Sequence, residues 1–226
     1  MSDSHLVSPA WPDEACTLTS LLEDAFGQSN LPAPGKKHAA TQWTATVSKV
    51  IVDRGHNIGY KVFGKKPKQT DLRFDGNEFL YDLMWARTDV FSVGRRFRPK
   101  ALTDVGLVCE CQWQERHAEV LELLVEDFLK LTLSRDAIMR LLVFIDPCCW
   151  KAKGTRTGDG DGVTSFKECC DLLQRLSPPH TGRYAAIAMR HDPSTPDAPW
   201  HGKKHFWDTN TMPSGKGPAA ASATAV

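Results

Sequence analysis

Residues 107–117 read LVCECQWQERH, an apolar, strand-like run with one carboxylate, Glu110, in its middle. A charged side chain inside such a run is costly to bury unless a partner or a metal ion compensates it. Gln112 follows two positions later, and alternate side chains of a strand share a face, so Glu110 and Gln112 point to the same side of the sheet. This run therefore predicts a strand that carries a buried polar site.

The periodicity on both sides of this strand predicts a single α/β domain over residues 14–190. Helices are expected over residues 14–27, 41–54, 116–134 and 163–176, and strands at IGYKVF (58–63), EFLYDLMW (78–85), GLVCECQW (106–113), IMRLLVFID (138–146) and RYAAIAMR (183–190). The fourth strand is nearly all apolar, which is typical of a central strand covered on both faces. We therefore predict a mixed sheet with helices on both faces.

Composition and charge are those of an ordinary globular protein. The chain has 226 residues, of which 41% are apolar and 24% charged, and its net charge of +1 demands neither a polyanion nor an acidic membrane as partner. Residues 1–13 are expected to be a flexible N-terminus without a signal-peptide pattern, and residues 191–226 a Pro/Gly/Ala-rich disordered tail. No apolar stretch approaches the length of a membrane span, which predicts a cytoplasmic location.

The seven cysteines suggest neither a disulfide framework nor a zinc ribbon. Their number is odd, two pairs are adjacent, and no CxxC spacing occurs. A mixed metal or redox site built from the CxC and CC pairs is a weaker alternative, because a free cysteine usually behaves as a small buried hydrophobe.

A second carboxylate, Asp82, lies in the strand predicted before that of Glu110. If the two strands are neighbours, the acids converge on one side of the sheet, where they repel each other unless a cation lies between them. Magnesium commonly takes one or two carboxylates together with substrate phosphate, so the pair predicts a magnesium site, with manganese as a substitute. The alternative is that each acid is bonded to backbone amides or to an arginine such as Arg140.

The order α-β-β-β-α-β, with Asp82 on the second strand and Glu110-Cys111-Gln112 on the third, resembles the PD-(D/E)XK nuclease superfamily. The resemblance covers roughly residues 40–146 and implies a restriction-endonuclease-like fold. It further implies that Asp82, Glu110 and the backbone carbonyl of Cys111 bind the metal ion, which stabilises charge on the phosphodiester that is cut. Gln112, the third motif residue, would orient the attacking water.

Gln112 occupies the position where this superfamily usually has a lysine. Glutamine can orient water by hydrogen bonding, but it brings no positive charge. In some members the lysine has moved to the following helix, which makes Lys130 a candidate for the missing charge. At 100° per residue, Asp127 lies about 60° and Lys130 about 120° from Leu124, the centre of the apolar stripe. Asp127 could therefore border the sheet, whereas helix geometry favours an exposed pair between Glu126 and Lys130.

Basic residues support a nucleic-acid substrate. Lys61, Lys65, Lys66 and Lys68 lie around the loop before the second strand, and Arg95, Arg96, Arg98 and Lys100 lie in the loop after it. Around an acidic metal site they would grip a phosphate backbone, although solvated loops that balance acids elsewhere explain them equally well. We therefore predict a magnesium-dependent nuclease acting on DNA or RNA, in which a homodimer or a protein partner could complete the site. The alternative is a catalytically inactive binding or assembly module on the same fold.

Overall fold

The computed structural model describes residues 11–28, 30–34, 36–65, 67, 70–75, 80–87, 105–113, 117–134, 137–150, 165–192, 194 and 200–211. Within these ranges the chain forms four α-helices and six strands: α1 Asp13–Gln28, α2 Ala39–Asn57, β1 Lys61–Gly64, β2 Leu83–Ala86, β3 Val105–Gln112, α3 His117–Thr132, β4 Ala137–Ile145, α4 Phe166–Leu176, β5 Arg183–His191 and β6 Trp200–Asp208. A short 3-10 helix, Pro147–Trp150, follows β4. The α/β class and the element order up to β5 are confirmed. No helix in this described part of the chain is long and apolar enough to cross a membrane.

The six strands form one open mixed sheet in the order β1-β2-β3-β4-β5-β6. The pairs β1–β2, β2–β3 and β5–β6 are antiparallel, whereas β3, β4 and β5 run parallel to one another. Parallel neighbours need a long crossover, and here α3 and α4 supply it. The strand that carries Glu110, β3, therefore lies in the interior of the sheet.

Helices α1 and α2 cover one face of the sheet with aromatic side chains. Trp43 of α2 is fully buried, and its ring centroid lies 5.7 Å from that of Trp113 and 5.6 Å from that of Trp200. Phe26 of α1 packs against the same two tryptophans, at centroid distances of 6.4 and 5.1 Å. Trp113 directly follows β3, so the alternation of that strand turns Glu110 to the opposite face.

Helices α3 and α4 cover this opposite face. Phe128 of α3 packs against Tyr184 of β5 and Trp207 of β6. The start of α4 is set by a capping box in which Ser165 and Glu168 bond to each other's backbone N–H. Because α3 lies against β3 and β4, it is the helix that can deliver side chains to Glu110.

Arg140, within β4, is fully buried and holds the end of α3. Its Nε and Nη1 donate to the carbonyls of Leu131 and Ala137, each at 3.2 Å, and its Nη2 donates to the carbonyl of Ser134. The guanidinium carbon also lies 5.1 Å from the centroid of the Tyr184 ring. Arg140 therefore stabilises the helix end.

We expect Arg140→Ala to lower the free energy of unfolding by about 3 kcal/mol, because it leaves a cavity and removes three donors from backbone carbonyls. Urea denaturation measures this loss. Arg183→Ala is the control: Arg183 pairs with Asp208 at 3.3 Å, but 42% of its side chain is exposed. Its removal is expected to cost less than about 1 kcal/mol. Equal losses in the two variants would contradict the role of Arg140.

The prediction of a disordered tail from residue 191 is wrong at Trp200–Asp208, which form β6. This strand pairs with β5 along its whole length. It lies at the edge of the sheet, and only Trp200 and Trp207 in it are buried, so its polar sequence HGKKH lacks the apolar alternation that indicates a strand. Residues 1–10 and 212–226, where the sequence predicts flexible ends, lie outside the described residues.

Candidate functional site

Asp82 and Glu110 meet at the end of the β2–β3 pair. The second strand is shorter than predicted and begins at Leu83, so Asp82 lies directly before it. Leu83 pairs with Cys109, and the antiparallel register therefore sets Asp82 beside Glu110. The Oδ2 atom of Asp82 accepts a hydrogen bond from the backbone N–H of Cys111 at 2.9 Å. The structure thus brings the two acids together.

The backbone carbonyl of Cys111 is directed to the same place. The N–H and C=O groups of one strand residue point to the same neighbouring strand. Because the N–H of Cys111 donates to Asp82, its carbonyl is also turned to the Asp82 side of β3. This direction is compatible with a third oxygen ligand beside the two carboxylates.

Glu110 occupies an electrostatically unfavourable position. Only 4% of its side chain is exposed, and its Oε1 atom has no hydrogen-bond partner among the described residues. The pKa of Glu110 is raised to about 8, first by burial and then by the negative charges of Asp82 and Asp127. The charge of Lys130 and the hydrogen bond from the Asp82 backbone N–H lower it in part. Without a cation, Glu110 therefore holds a proton at neutral pH.

Lys130 reaches this cluster from α3. Its Nζ atom lies 2.6 Å from Oδ1 of Asp127 and 4.0 Å from Oε2 of Glu110. The preferred expectation of an exposed pair between Lys130 and Glu126 is therefore wrong, because the long lysine stem bends around the helix toward the sheet. The hydrogen bond to Asp127, followed by the charges of Glu110 and Asp82, raises the pKa of Lys130, so the ammonium stays charged at neutral pH.

Gln112 completes the cluster from β3. It is 9% exposed, and its Nε2 atom donates to Oδ2 of Asp127 at 3.1 Å. Asp127 was not among the predicted site residues, although its angle from the apolar stripe indicated that it could border the sheet. Its position three residues before Lys130 was a second indication that the two side chains could meet.

The donor set fits a magnesium ion. Asp82 and Glu110 provide two carboxylates, the Cys111 carbonyl is directed to the same side, and Glu110 Oε1 is a buried oxygen without a partner in the described part of the chain. Magnesium is satisfied by one or two carboxylates, with water and substrate phosphate as its other ligands. No group of three or more His, Cys, Asp or Glu side chains arranged to hold a metal ion occurs in the described ranges. A site of this kind therefore depends on backbone, water or substrate oxygens as well.

The cysteines whose side chains the structure describes are free thiols: Cys16, Cys109, Cys111, Cys148, Cys169 and Cys170. Cys109, Cys169 and Cys170 are buried, and burial raises the pKa of Cys169 to about 12. A thiol with such a pKa is a poor metal ligand and a poor nucleophile, because both roles need the thiolate. These three positions are typical of small core residues and give no support to a cysteine-based site.

A cavity of about 560 Å³ lies between α2 and the segment that follows β1, where Lys49, Asp53, His56 and Arg73 line it. Lys49 pairs with Asp53 at 2.5 Å, and His56 lies 3.0 Å from Asp75. The charges around this cavity are thus largely balanced, and none of the predicted site residues lines the cavity.

No protein-family model, curated protein or solved structure matches this chain. What the protein does is therefore inferred from its sequence pattern and from the geometry of this site. Both lead to the carboxylates of β2 and β3, and the geometry adds Asp127 and Lys130 of α3.

Proposed function

We propose that this protein is a magnesium-dependent nuclease that hydrolyses phosphodiester bonds of DNA or RNA. The observation that carries the proposal is Glu110, a buried carboxyl group whose Oε1 has no hydrogen-bond partner within the described ranges, close to two carboxylates and 4.0 Å from the Lys130 ammonium. Such a cluster is costly as a purely structural feature. A divalent cation removes the conflict, and strongly shifted acids of this kind concentrate at functional sites.

The order α2-β1-β2-β3-α3-β4 supports a restriction-endonuclease-like arrangement as the finer fold assignment. It places Asp82 at the second strand and Glu110 on the third, as in the superfamily pattern. Lys130 lies on the helix after the third strand and close to Glu110, which supports the variant of that pattern in which the lysine has moved. Strands β5 and β6 extend the sheet beyond this core.

The residues have separate roles in the proposed reaction. Asp82, Glu110 and the Cys111 carbonyl would hold magnesium, which when bound supplies Lewis-acid stabilisation of charge on the phosphodiester. Gln112 accepts a hydrogen bond from the attacking water and orients it. Lys130 supplies the positive charge that an amide lacks and stabilises charge that develops on the phosphate.

Positive charge near the site supports the nucleic-acid assignment. Lys65 directly follows β1, whose last residue Gly64 pairs with Leu83 next to Asp82, and Lys130 lies in the site itself. Lys61, at the other end of β1, pairs with Ala86 away from the site. Lys66, Lys68 and the predicted basic loop at residues 95–100 lie outside the described residues. A homodimer, a protein partner and a cytoplasmic location stay predictions.

Calorimetric titration of MnCl2 into the purified protein tests the metal site without knowledge of the substrate. We expect wild type to bind manganese and Asp82→Asn to bind it about 100-fold more weakly or not at all, because asparagine still accepts the Cys111 hydrogen bond but lacks the charge. Asp53→Asn is the matched control. Asp53 pairs with Lys49 on an exposed part of α2, so this variant should bind like wild type.

Cleavage of supercoiled plasmid DNA and of a labelled single-stranded RNA in MnCl2 then identifies the substrate class. Cleavage that disappears in Asp82→Asn while the fold is retained is the expected result. Manganese binding that is unchanged in Asp82→Asn would overturn the site. Absence of both binding and cleavage in wild type would favour the second candidate.

The second candidate is a binding or assembly module that has kept the fold without the chemistry. One observation favours it: with a pKa of about 8, Glu110 can remain in the buried cluster as a neutral acid without any metal ion. Nucleic-acid binding without added manganese, unaffected by Asp82→Asn, is the result expected for this module.

A further inference from the structure

We propose that Asp127 is a positioning residue that holds both substitutes for the missing motif lysine, the Gln112 amide and the Lys130 ammonium, beside the acids. This inference rests on the proposed function and adds to it the residue that orders the site. The sequence pattern assigns no role to this carboxylate.

Asp127 uses both of its carboxylate oxygens. Its Oδ2 accepts a hydrogen bond from Nε2 of Gln112 at 3.1 Å, and its Oδ1 accepts one from Nζ of Lys130 at 2.6 Å. Gln112 is on β3 and Lys130 on α3, so one side chain links the strand to the helix at the site. Only 14% of the Asp127 side chain is exposed, which limits competition by water for these bonds.

The first consequence concerns the orientation of the Gln112 amide. An ionised carboxylate only accepts hydrogen bonds, so the amide nitrogen must face Asp127 and the amide oxygen must point away from it. The oxygen is the end that can accept a hydrogen bond from an attacking water. Asp127 therefore selects the useful one of the two amide orientations.

The second consequence concerns the place of the Lys130 charge. A lysine ammonium is a point charge on a flexible stem, and 38% of this side chain is exposed. Without Asp127, the stem could extend into solvent and leave Glu110. The short contact to Asp127 keeps the ammonium 4.0 Å from Oε2 of Glu110.

Both oxygens of Asp127 are occupied by N–H donors, and this separates its role from that of a metal ligand. We therefore expect its loss to change turnover far more than metal affinity.

Steady-state cleavage in MnCl2, on whichever of plasmid DNA or single-stranded RNA the wild type cuts, tests this role. We expect Asp127→Asn to lower kcat about 10- to 100-fold, because asparagine cannot hold both donors and carries no charge. KM and the calorimetric manganese affinity should stay within about threefold of wild type. Asp127→Glu, which keeps the charge and both acceptors, should recover part of the lost kcat. Asp171→Asn is the control, since Asp171 pairs with Lys167 on α4 and touches none of the site residues.

A mutant cycle separates positioning from a general structural role. In a Gln112→Ala, Lys130→Met background nothing remains for Asp127 to position, so Asp127→Asn should cause less than about a twofold further loss. An undiminished loss in that background would overturn the inference. So would a wild-type kcat for Asp127→Asn, or a manganese affinity that falls as far as it does in Asp82→Asn.

A wild type that neither binds manganese nor cuts nucleic acid would count against the proposed function. Nuclear magnetic resonance would still test whether Asp127 holds the Gln112 amide. The side-chain amide protons of Gln112, assigned with Gln112→Ala, should exchange slowly with solvent in wild type and in Asp171→Ala, and rapidly in Asp127→Ala. Rapid exchange already in wild type, or slow exchange that persists in Asp127→Ala, would show that Asp127 does not hold the amide.

Discussion

Glu110→Gln is expected to stabilise the metal-free fold at alkaline pH and to abolish manganese binding. In the folded protein Glu110 has a pKa of about 8, against an ordinary value of 4.5, so the folded state keeps a proton that the unfolded state releases. The free energy of unfolding therefore falls as the pH rises through this window. The whole shift corresponds to ~5 kcal/mol, and relaxation of the site lowers our expectation to about 3 kcal/mol at pH 9. Glutamine removes this penalty.

Urea denaturation of both proteins in EDTA, from pH 5 to pH 9, measures the effect. The curves should nearly coincide at pH 5 and separate as the pH rises. Glu14→Gln provides a control with the opposite sign, because buried Glu14 accepts hydrogen bonds from Arg54 at 2.7 and 2.6 Å. That variant leaves a guanidinium without its partner and should be destabilised. A Glu110→Gln protein that is less stable than wild type at pH 9 would show that the Glu110 charge has a structural role.

Lys130→Met is expected to lower turnover 100-fold or more while leaving the metal site intact. Loss of one preorganised group that stabilises developing charge typically costs about 100- to 1000-fold in kcat. Manganese affinity should be unchanged or higher, because the ammonium 4.0 Å from Glu110 competes with a divalent cation for the same carboxylates. Cleavage kinetics and manganese calorimetry on one protein preparation measure the two effects.

Lys167→Met is the matched control for this change. Lys167 also pairs with an aspartate on a helix, Asp171 at 2.5 Å, but it is exposed and belongs to α4 outside the site. We expect wild-type kinetics from it. Wild-type kinetics from Lys130→Met as well would show that the Lys130 charge has no part in turnover.

Strand β3 shows how much of the site could be predicted from the sequence. The alternation around Glu110 indicated a strand, and it correctly separated the face of Glu110 and Gln112 from that of Trp113, which packs against α1 and α2. Side-chain alternation is a local property of an extended chain, so a single strand carries it in full. The register that sets Asp82 beside Glu110 needed the additional assumption that β2 and β3 are neighbours.

Two features could not be predicted in this way. Trp200–Asp208 form an edge strand because they pair with the open edge of β5. Most side chains of this strand are at least partly exposed, so its sequence shows only a weak alternation of apolar and polar residues. The angle of Lys130 on its helix pointed to solvent, yet its flexible stem and the nearby Asp127 brought its charge to Glu110. The angle of a residue on a helix gives the direction of its Cα–Cβ bond. It does not give the position of the charged group at the end of a long, flexible side chain.

Local periodicity was thus sufficient for the α/β class, for the four helices and first five strands, and for the inward placement of Glu110, since each follows from the spacing of apolar residues along the chain. Tertiary packing was needed to bring Asp127 and Lys130 of α3 to the carboxylates and to recruit β6 to the sheet. These outcomes depend on contacts between segments far apart in sequence and on the reach of flexible side chains. Neither of these is a periodic property of the chain.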